Sequence, residues 1–127
     1  MRSTLISLIV VLVLAAGLCA FSQALVVEAT QELDTLRLQA LAHVRAADAQ
    51  AAEATLARFE RRWEDVAPSL ETVASHDALH QVSSELADAR ACIETGDLDD
   101  CLRALVQLER ALDHIRVTEE LSFSNLY

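Results

Sequence analysis

The chain has 127 residues, of which 22 are Ala and only three are Gly or Pro. This composition favours helices throughout, since Ala is the best helix former and Gly and Pro are the worst. Ten Arg and 20 acidic residues give a net charge of −10, which argues against nucleic acid as a ligand because phosphate would be repelled.

An uncharged segment, residues 4–27, comes first and is rich in Leu, Ile and Val. About 20 apolar residues in a helix cross the hydrocarbon core of a bilayer, so the segment is long enough to span. Arg2 precedes it and Glu28 follows it, and this bias in positive charge retains the N-terminus in the cytoplasm. The sequence therefore predicts a transmembrane anchor over 1–27 and an extracytoplasmic domain over 28–127, on the cell membrane.

Two processing events compete with a permanent anchor. Ser22-Gln23-Ala24 has small residues where a signal peptidase reads them, so cleavage after Ala24 would give a secreted protein. Cys19 follows a lipobox-like stretch, but Leu18 stands where a small residue is required. The uncleaved anchor is the favoured interpretation, and the secreted form is its alternative.

The first exported helix is expected to begin at Glu28, and the absence of Gly or Pro extends it to near Asp65. Half of its middle part, residues 40–57, is Ala. Such a stretch either allows another helix to approach closely or forms a solvated stalk, and the sequence does not separate the two. Pro68 disfavours helix at the residue before it, so the next helix should begin near Pro68 or Ser69.

That next helix is predicted to run to Thr95, where Gly96 ends it as a left-handed cap. Asp97 is placed to cap a third helix that packs antiparallel to the second. The predicted fold is all-α, with an N-terminal transmembrane helix followed by a three-helix bundle. The apolar tail, residues 121–127, is expected to fold back against this bundle.

From Trp63 onward the sequence resembles the bacterial domain-of-unknown-function family 4363. Trp63, His76 and the ending Leu121-Ser122-Phe123-Ser124-Asn125-Leu126 carry the resemblance, since the family usually closes with a Leu-Ser-x-x-Asn-hydrophobic signature. It implies a small protein with a membrane segment and a helical exterior, no established enzymatic activity or cofactor, and a membrane protein partner. His80, Cys92 and Cys101 are not part of the family pattern.

His76 and His80 are four residues apart, so both imidazoles would lie on one face of a helix. This spacing can hold a metal, and a metal-binding or enzymatic domain using His76 and His80 is the alternative function. A catalytic zinc needs a third ligand and a base that reaches its water, however, and none can be picked out. We therefore expect no metal, no cofactor and no catalytic residue.

Cys92 and Cys101 lie four residues before Gly96 and four after Asp97. Antiparallel helices could bring these cysteines to a separation that a disulfide allows, and an exported domain meets an oxidising environment. We expect a disulfide, with two buried thiols as the alternative. The acidic residues at the same turn are explained by helix capping, without calcium.

Arg58, Arg61 and Arg62 form a basic cluster interleaved with acidic residues, which is typical of a solvated helix face. On a straight helix, Arg58 would stand roughly 45 Å beyond Val27, too far to touch the lipid headgroups.

The sequence thus predicts a membrane-anchored helical protein that acts by binding, as an accessory module for a membrane protein. Trp63, His76, Phe123 and Asn125 are expected to form a structural or partner-binding unit. The sequence leaves the oligomeric state and the identity of the partner open.

Overall fold

The computed structural model describes residues 2–71 and 74–125, with side chains described as far as Ile115. These ranges form four α-helices: α1 is Arg2–Arg45, α2 is Ala49–Leu70, α3 is His76–Thr95 and α4 is Leu98–Asn125. Short connections reverse the chain between successive helices. Contacts join α1 to α2, α2 to α3, α3 to α4 and α4 back to α1, so the four helices surround one core.

The first helix has two different halves. Its large apolar side chains from Leu5 to Phe21 are all at least half exposed, and the first buried residue is Val26. From there to Val44 the helix buries one face against α2 and α4. One helix in the described chain is thus long and apolar enough to cross a membrane, judged by length and composition alone.

The predicted single helix from Glu28 to Asp65 is wrong. The chain reverses at Ala46–Asp48, within the Ala-rich stretch, and α2 runs back along α1. Ala47 has a left-handed φ of 57°, and the amide of Asp48 donates to the carbonyl of His43. Asp48 then caps α2, because its carboxylate accepts from the amide of Ala51 at 3.1 Å.

This reversal changes the predicted architecture from three bundle helices to four. The second half of α1, from Val26 to Arg45, and the whole of α2 are separate, antiparallel members of the bundle. The stretch 40–57 therefore belongs to a packed hairpin rather than to a stalk. Ala40 and Ala52 are completely buried, so small side chains let α1 and α2 approach closely at these two positions, whereas most of the other alanines in the stretch are exposed.

Pro68 does not separate two helices, as the sequence suggested, but lies inside α2 near its end. Helix α3 begins later than predicted, at His76, where the hydroxyl of Ser75 accepts from the amide of Ala78 at 3.1 Å. The turn between α3 and α4 matches the prediction. Gly96 has a left-handed φ of 78°, and the carboxylate of Asp97 accepts from the amide of Asp100 at 3.2 Å.

The core contains apolar side chains from every helix. Phe59 and Leu56 of α2 are fully buried, together with Leu33 of α1, Val82 of α3 and Leu105 of α4. Burial of one such side chain contributes about 1.5 to 3 kcal/mol. This shared core orients the surfaces described below.

Candidate functional sites

A cavity of about 330 Å³ opens between α1 and α2 at the end of the bundle, where the uncharged segment ends. Leu25 and Val26 contribute apolar surface from α1, and Leu70 does so from α2. Charged side chains complete the lining, including Arg62 and Glu28. The cavity therefore combines apolar and charged surface next to the apolar half of α1.

Arg62, the last residue of the basic cluster, lines this cavity, because α2 runs back along α1. Arg62 Nε donates to Glu32 Oε2 at 2.9 Å, which joins α2 to α1. Arg61 is exposed, and Arg58 donates to the hydroxyl of Thr55 at 3.4 Å. The predicted distance of roughly 45 Å between Arg58 and Val27 required a straight helix, and the reversal at Ala46–Asp48 removes that condition.

A buried arginine links α1 to α4. The side chain of Arg37 is only 3% exposed; its Nε donates to Asp34 Oδ1 at 2.8 Å and its Nη2 lies 3.6 Å from Glu109 Oε2. Burying an arginine without a partner is costly, so these carboxylates compensate its charge. Sequence reasoning missed this group, although the spacing Leu33, Arg37, Ala40 places Arg37 on the apolar face.

Trp63 lies between α2 and α3. The indole is 5% exposed, and its Nε1 donates to Ser83 Oγ at 3.0 Å. The hydroxyl of Ser83 in turn donates to the carbonyl oxygen of Leu79 at 3.4 Å. Arg90 of α3 pairs with Glu60 of α2 beside the same cleft, so polar contacts flank the indole on this interface.

The structure places His76 in a different cleft from Trp63. His76 is exposed at the start of α3 and shares a small cavity with Glu71, Ala74 and Leu79. Leu79 lines the cavity of His76, and its carbonyl oxygen also accepts from the hydroxyl of Ser83, which in turn accepts from the Trp63 indole. The side chains of Phe123 and Asn125 lie outside the described residues, so the predicted unit stays a prediction.

His80 is exposed one turn after His76, as the spacing predicted. Within residues 2–71 and 74–115, no group of three His, Cys, Asp or Glu side chains is arranged to hold a metal ion. The pair therefore has the spacing of metal ligands without a third ligand among the described side chains.

Cys92 and Cys101 face each other across the turn between α3 and α4. Both are free thiols in the structure, close enough for each to affect the pKa of the other, so the predicted pair is brought together without the predicted bond. Burial, with Cys92 beside it, raises the pKa of the Cys101 thiol to about 11. Burial and nearby Asp100 also raise the pKa of Cys92.

Helix capping explains the acidic turn. The amide of Asp100 donates to the carboxylate of Asp97 and lowers the pKa of that group. The adjacent Asp97 carboxylate in turn raises the pKa of the Asp100 side chain. Asp99 and Asp100 also lie in the first turn of α4, where the helix dipole favours negative charge.

The sequence matches the model of the DUF4363 family, a domain of unknown function, over residues 20–126. The chain belongs to this family. Its domain includes the end of the uncharged segment as well as the bundle, so the match extends well beyond the half of the chain that carried the resemblance. Searches of curated proteins and of solved structures found no match.

Proposed function

We propose that this DUF4363 protein is a single-pass membrane protein whose helical bundle lies outside the cytoplasm. In this proposal the bundle is a binding module, accessory to another protein of the same membrane. The N-terminal segment stays uncleaved as its anchor.

The observation that carries the proposal is the continuity of α1. Arg2–Arg45 is a single helix, exposed and apolar in its first half and part of the bundle core in its second. A bundle built on such a helix cannot swing freely on a linker, because the buried face from Val26 to Val44 also fixes α2 and α4. It would present the same surface to neighbouring proteins in the membrane.

The distribution of charge supports the proposed orientation. Arg2 precedes the uncharged segment, whereas residues 28–127 contain nine Arg and 20 acidic residues, a net charge of 9 − 20 = −11. Positive residues are retained in the cytoplasm, so this asymmetry favours export of the bundle.

The cavity between α1 and α2 supports a partner that itself lies in the membrane. It is lined by Leu25 and Val26, where the uncharged segment meets the bundle, and Arg62, which pairs with Glu32, adds polar surface. Surfaces that combine an apolar floor with a few polar groups are typical of binding sites. The metal-binding or enzymatic alternative at His76 and His80 gains no support from the described side chains.

Purification of the full-length protein in mild detergent tests the proposal. One integral membrane protein should copurify in a fixed ratio, and it should be lost when residues 28–127 are replaced by an unrelated helical domain. Leu25→Ala should weaken this association, whereas Leu38→Ala should not. Leu38→Ala is the matched control, since both leucines lie on α1 and Leu25 and Leu38 are 46% and 49% exposed. Only Leu25 lines the cavity.

A topology reporter fused after Tyr127 tests the orientation independently. We expect activity only outside the cytoplasm, together with a membrane-bound mass that retains the N-terminal segment. Cytoplasmic activity would reverse the orientation, and a mature N-terminus at Leu25 would replace the anchor by a signal peptide.

A further inference from the structure

Helix α4 is longer than the helix that it pairs with. Helix α3 ends at the turn at Gly96 and α4 begins after it, so the two run antiparallel, but α3 has 20 residues and α4 has 28. The last eight residues of α4 (28 − 20 = 8) therefore extend past the beginning of α3. At 1.5 Å per residue this overhang, residues 118–125, is about 12 Å long.

The contact between Arg37 and Glu109 shows which level of α1 the overhang reaches. Asn125 follows Glu109 by 16 residues (125 − 109 = 16), or about 24 Å of helix. Because α1 and α4 run in opposite directions, the same distance along α1 leads back from Arg37 to Phe21. Phe21 belongs to the uncharged segment, and its side chain is 63% exposed.

The other helices end nearer to the bundle core. Helix α2 ends at Leu70, which lines the same cavity as Val26, the first buried residue of α1. Counted in the same way, the contact of Arg62 with Glu32 places Leu70 level with Ala24 (32 − 8 = 24). The overhang thus reaches about three residues, or roughly 4.5 Å, further along α1 than α2 does. The helical backbone to Asn125 also corrects the expectation that the tail folds back, because residues 121–125 continue α4 without a reversal.

The sequence at this level changes from acidic to uncharged. Glu119 and Glu120 are the last charged side chains, and residues 121–127 contain Leu121, Phe123 and, at the end, a Leu and a Tyr among Ser and Asn. Tyr is among the residues enriched at membrane–water interfaces, and the absence of charged side chains in this segment lowers the cost of placing it there.

We propose that the C-terminal end of α4 inserts into the outer interface of the bilayer that α1 spans. Lipid surrounds any part of the chain at this depth that protein does not cover, and the exposed Phe21 shows that its face of α1 is uncovered there. The protein would then hold the membrane at two points, which fixes the tilt of the bundle. This inference rests on the proposed membrane anchor.

Tryptophan substitutions in the full-length protein test the insertion. Phe123→Trp reports the overhang and Leu121→Trp is a second reporter of it. Phe21→Trp reports the anchor. Val106→Trp is the matched control, since Val106 lies on α4, is 41% exposed and is 17 residues from Phe123 (123 − 106 = 17). Each variant is reconstituted into phosphatidylcholine vesicles with and without bromine on the acyl chains, and the emission of the parent, from Trp63, is subtracted.

We expect brominated lipid to quench about half or more of the added emission of Phe123→Trp, with a blue-shifted maximum, and to leave Val106→Trp unchanged. If Phe21→Trp is quenched while both overhang reporters behave as Val106→Trp does, the inference is wrong and the anchor stands. Blue-shifted but unquenched overhang reporters would also overturn it, because they would indicate burial against protein. If Phe21→Trp is not quenched either, the anchor fails and this inference fails with it.

Discussion

The two hairpins of the bundle reverse in the same way, but with different residues. At the turn between α3 and α4 the left-handed position is Gly96, with φ 78°, and at the turn between α1 and α2 it is Ala47, with φ 57°. In both turns the left-handed residue donates its amide to the carbonyl three residues before it. Gly occupies this conformation without strain, whereas Ala disfavours it.

The comparison shows that local sequence specifies one hairpin and packing specifies the other. Gly96 and Asp97 are sufficient to predict where α3 ends and α4 begins. At Ala47 the backbone is unfavourable, so buried contacts between α1 and α2 must stabilise the reversal. Fully buried Leu33, Ala40, Ala52 and Leu56 provide these contacts.

The largest expected effect is the loss of a core side chain from the hairpin that depends on packing. Phe59→Ala should lower the free energy of unfolding by about 3 to 5 kcal/mol, because it removes a fully buried ring and leaves a cavity. Chemical denaturation of the full chain in detergent measures this. Arg61→Ala, at an exposed position of the same helix, should change stability by less than about 0.5 kcal/mol. Equal effects of the two substitutions would contradict the assigned core.

The second effect concerns the hairpin that is specified locally. Oxidation of Cys92 and Cys101 to a disulfide should stabilise it by about 2 to 3 kcal/mol, because the bond closes a short loop in the unfolded chain. Non-reducing peptide mapping of protein from its native compartment should show the linked pair. Quantitative alkylation of both thiols without reductant would contradict the prediction.

The reduced form should also respond to alkaline pH. Since burial raises the pKa of Cys101 to about 11, the folded state holds the proton that the unfolded state releases at lower pH. The stability of the reduced protein should therefore fall as the pH rises toward 11, and the oxidised protein should lack this response.

Substitutions of the two left-handed residues, Gly96 and Ala47, should change the free energy of unfolding in opposite directions. Gly96→Ala should cost about 1 to 2 kcal/mol from the backbone alone, since no atom lies within 4 Å of the added methyl group. Ala47→Gly should instead stabilise by up to about 1 kcal/mol, because relief of strain exceeds the added entropy of the unfolded chain. Thermal denaturation of both variants compares them directly, and destabilisation by Ala47→Gly would contradict the assigned φ.

A similarly small effect is expected at the cap of α2. Asp48→Ala should cost about 1 kcal/mol, because the amide of Ala51 loses its acceptor. Asp48→Asn keeps an acceptor and should be nearly neutral. The same denaturation experiment distinguishes the two variants, and equal losses would indicate that the carboxylate does not cap the helix.

Elements with a local chemical signal were predictable from the sequence. The uncharged segment, the all-helical fold, the Gly96 turn and the family all follow from residues that lie close together in the chain. The reversal at Ala46–Asp48 was not predictable, because Ala is the strongest helix former. The only local sign of a turn is Asp48, and Asp also occurs within helices. Pro68 misled for the opposite reason: it interrupts a helix in general but is accommodated near the end of α2.

The candidate sites divide in the same way. The proximity of Cys92 and Cys101 was predictable because each lies four residues from the same turn, at Gly96 and Asp97. The Arg37 contacts and the cavity at Leu25 depend on which helix lies beside α1, and the missed reversal determines that. An expected straight helix also placed the basic cluster far from the uncharged segment, whereas the hairpin returns it toward that end.

The distance between α1 and α2 tests the central claim, that the chain returns toward the uncharged segment instead of extending as a stalk. Spin labels at exposed Gln31 and Arg61 of the full-length protein in lipid vesicles measure it. Helices that pack side by side have axes about 8 to 10 Å apart, so the account predicts a short label separation. A separation near 45 Å, the length of about 30 residues of straight helix, would contradict the hairpin and every surface assigned from it.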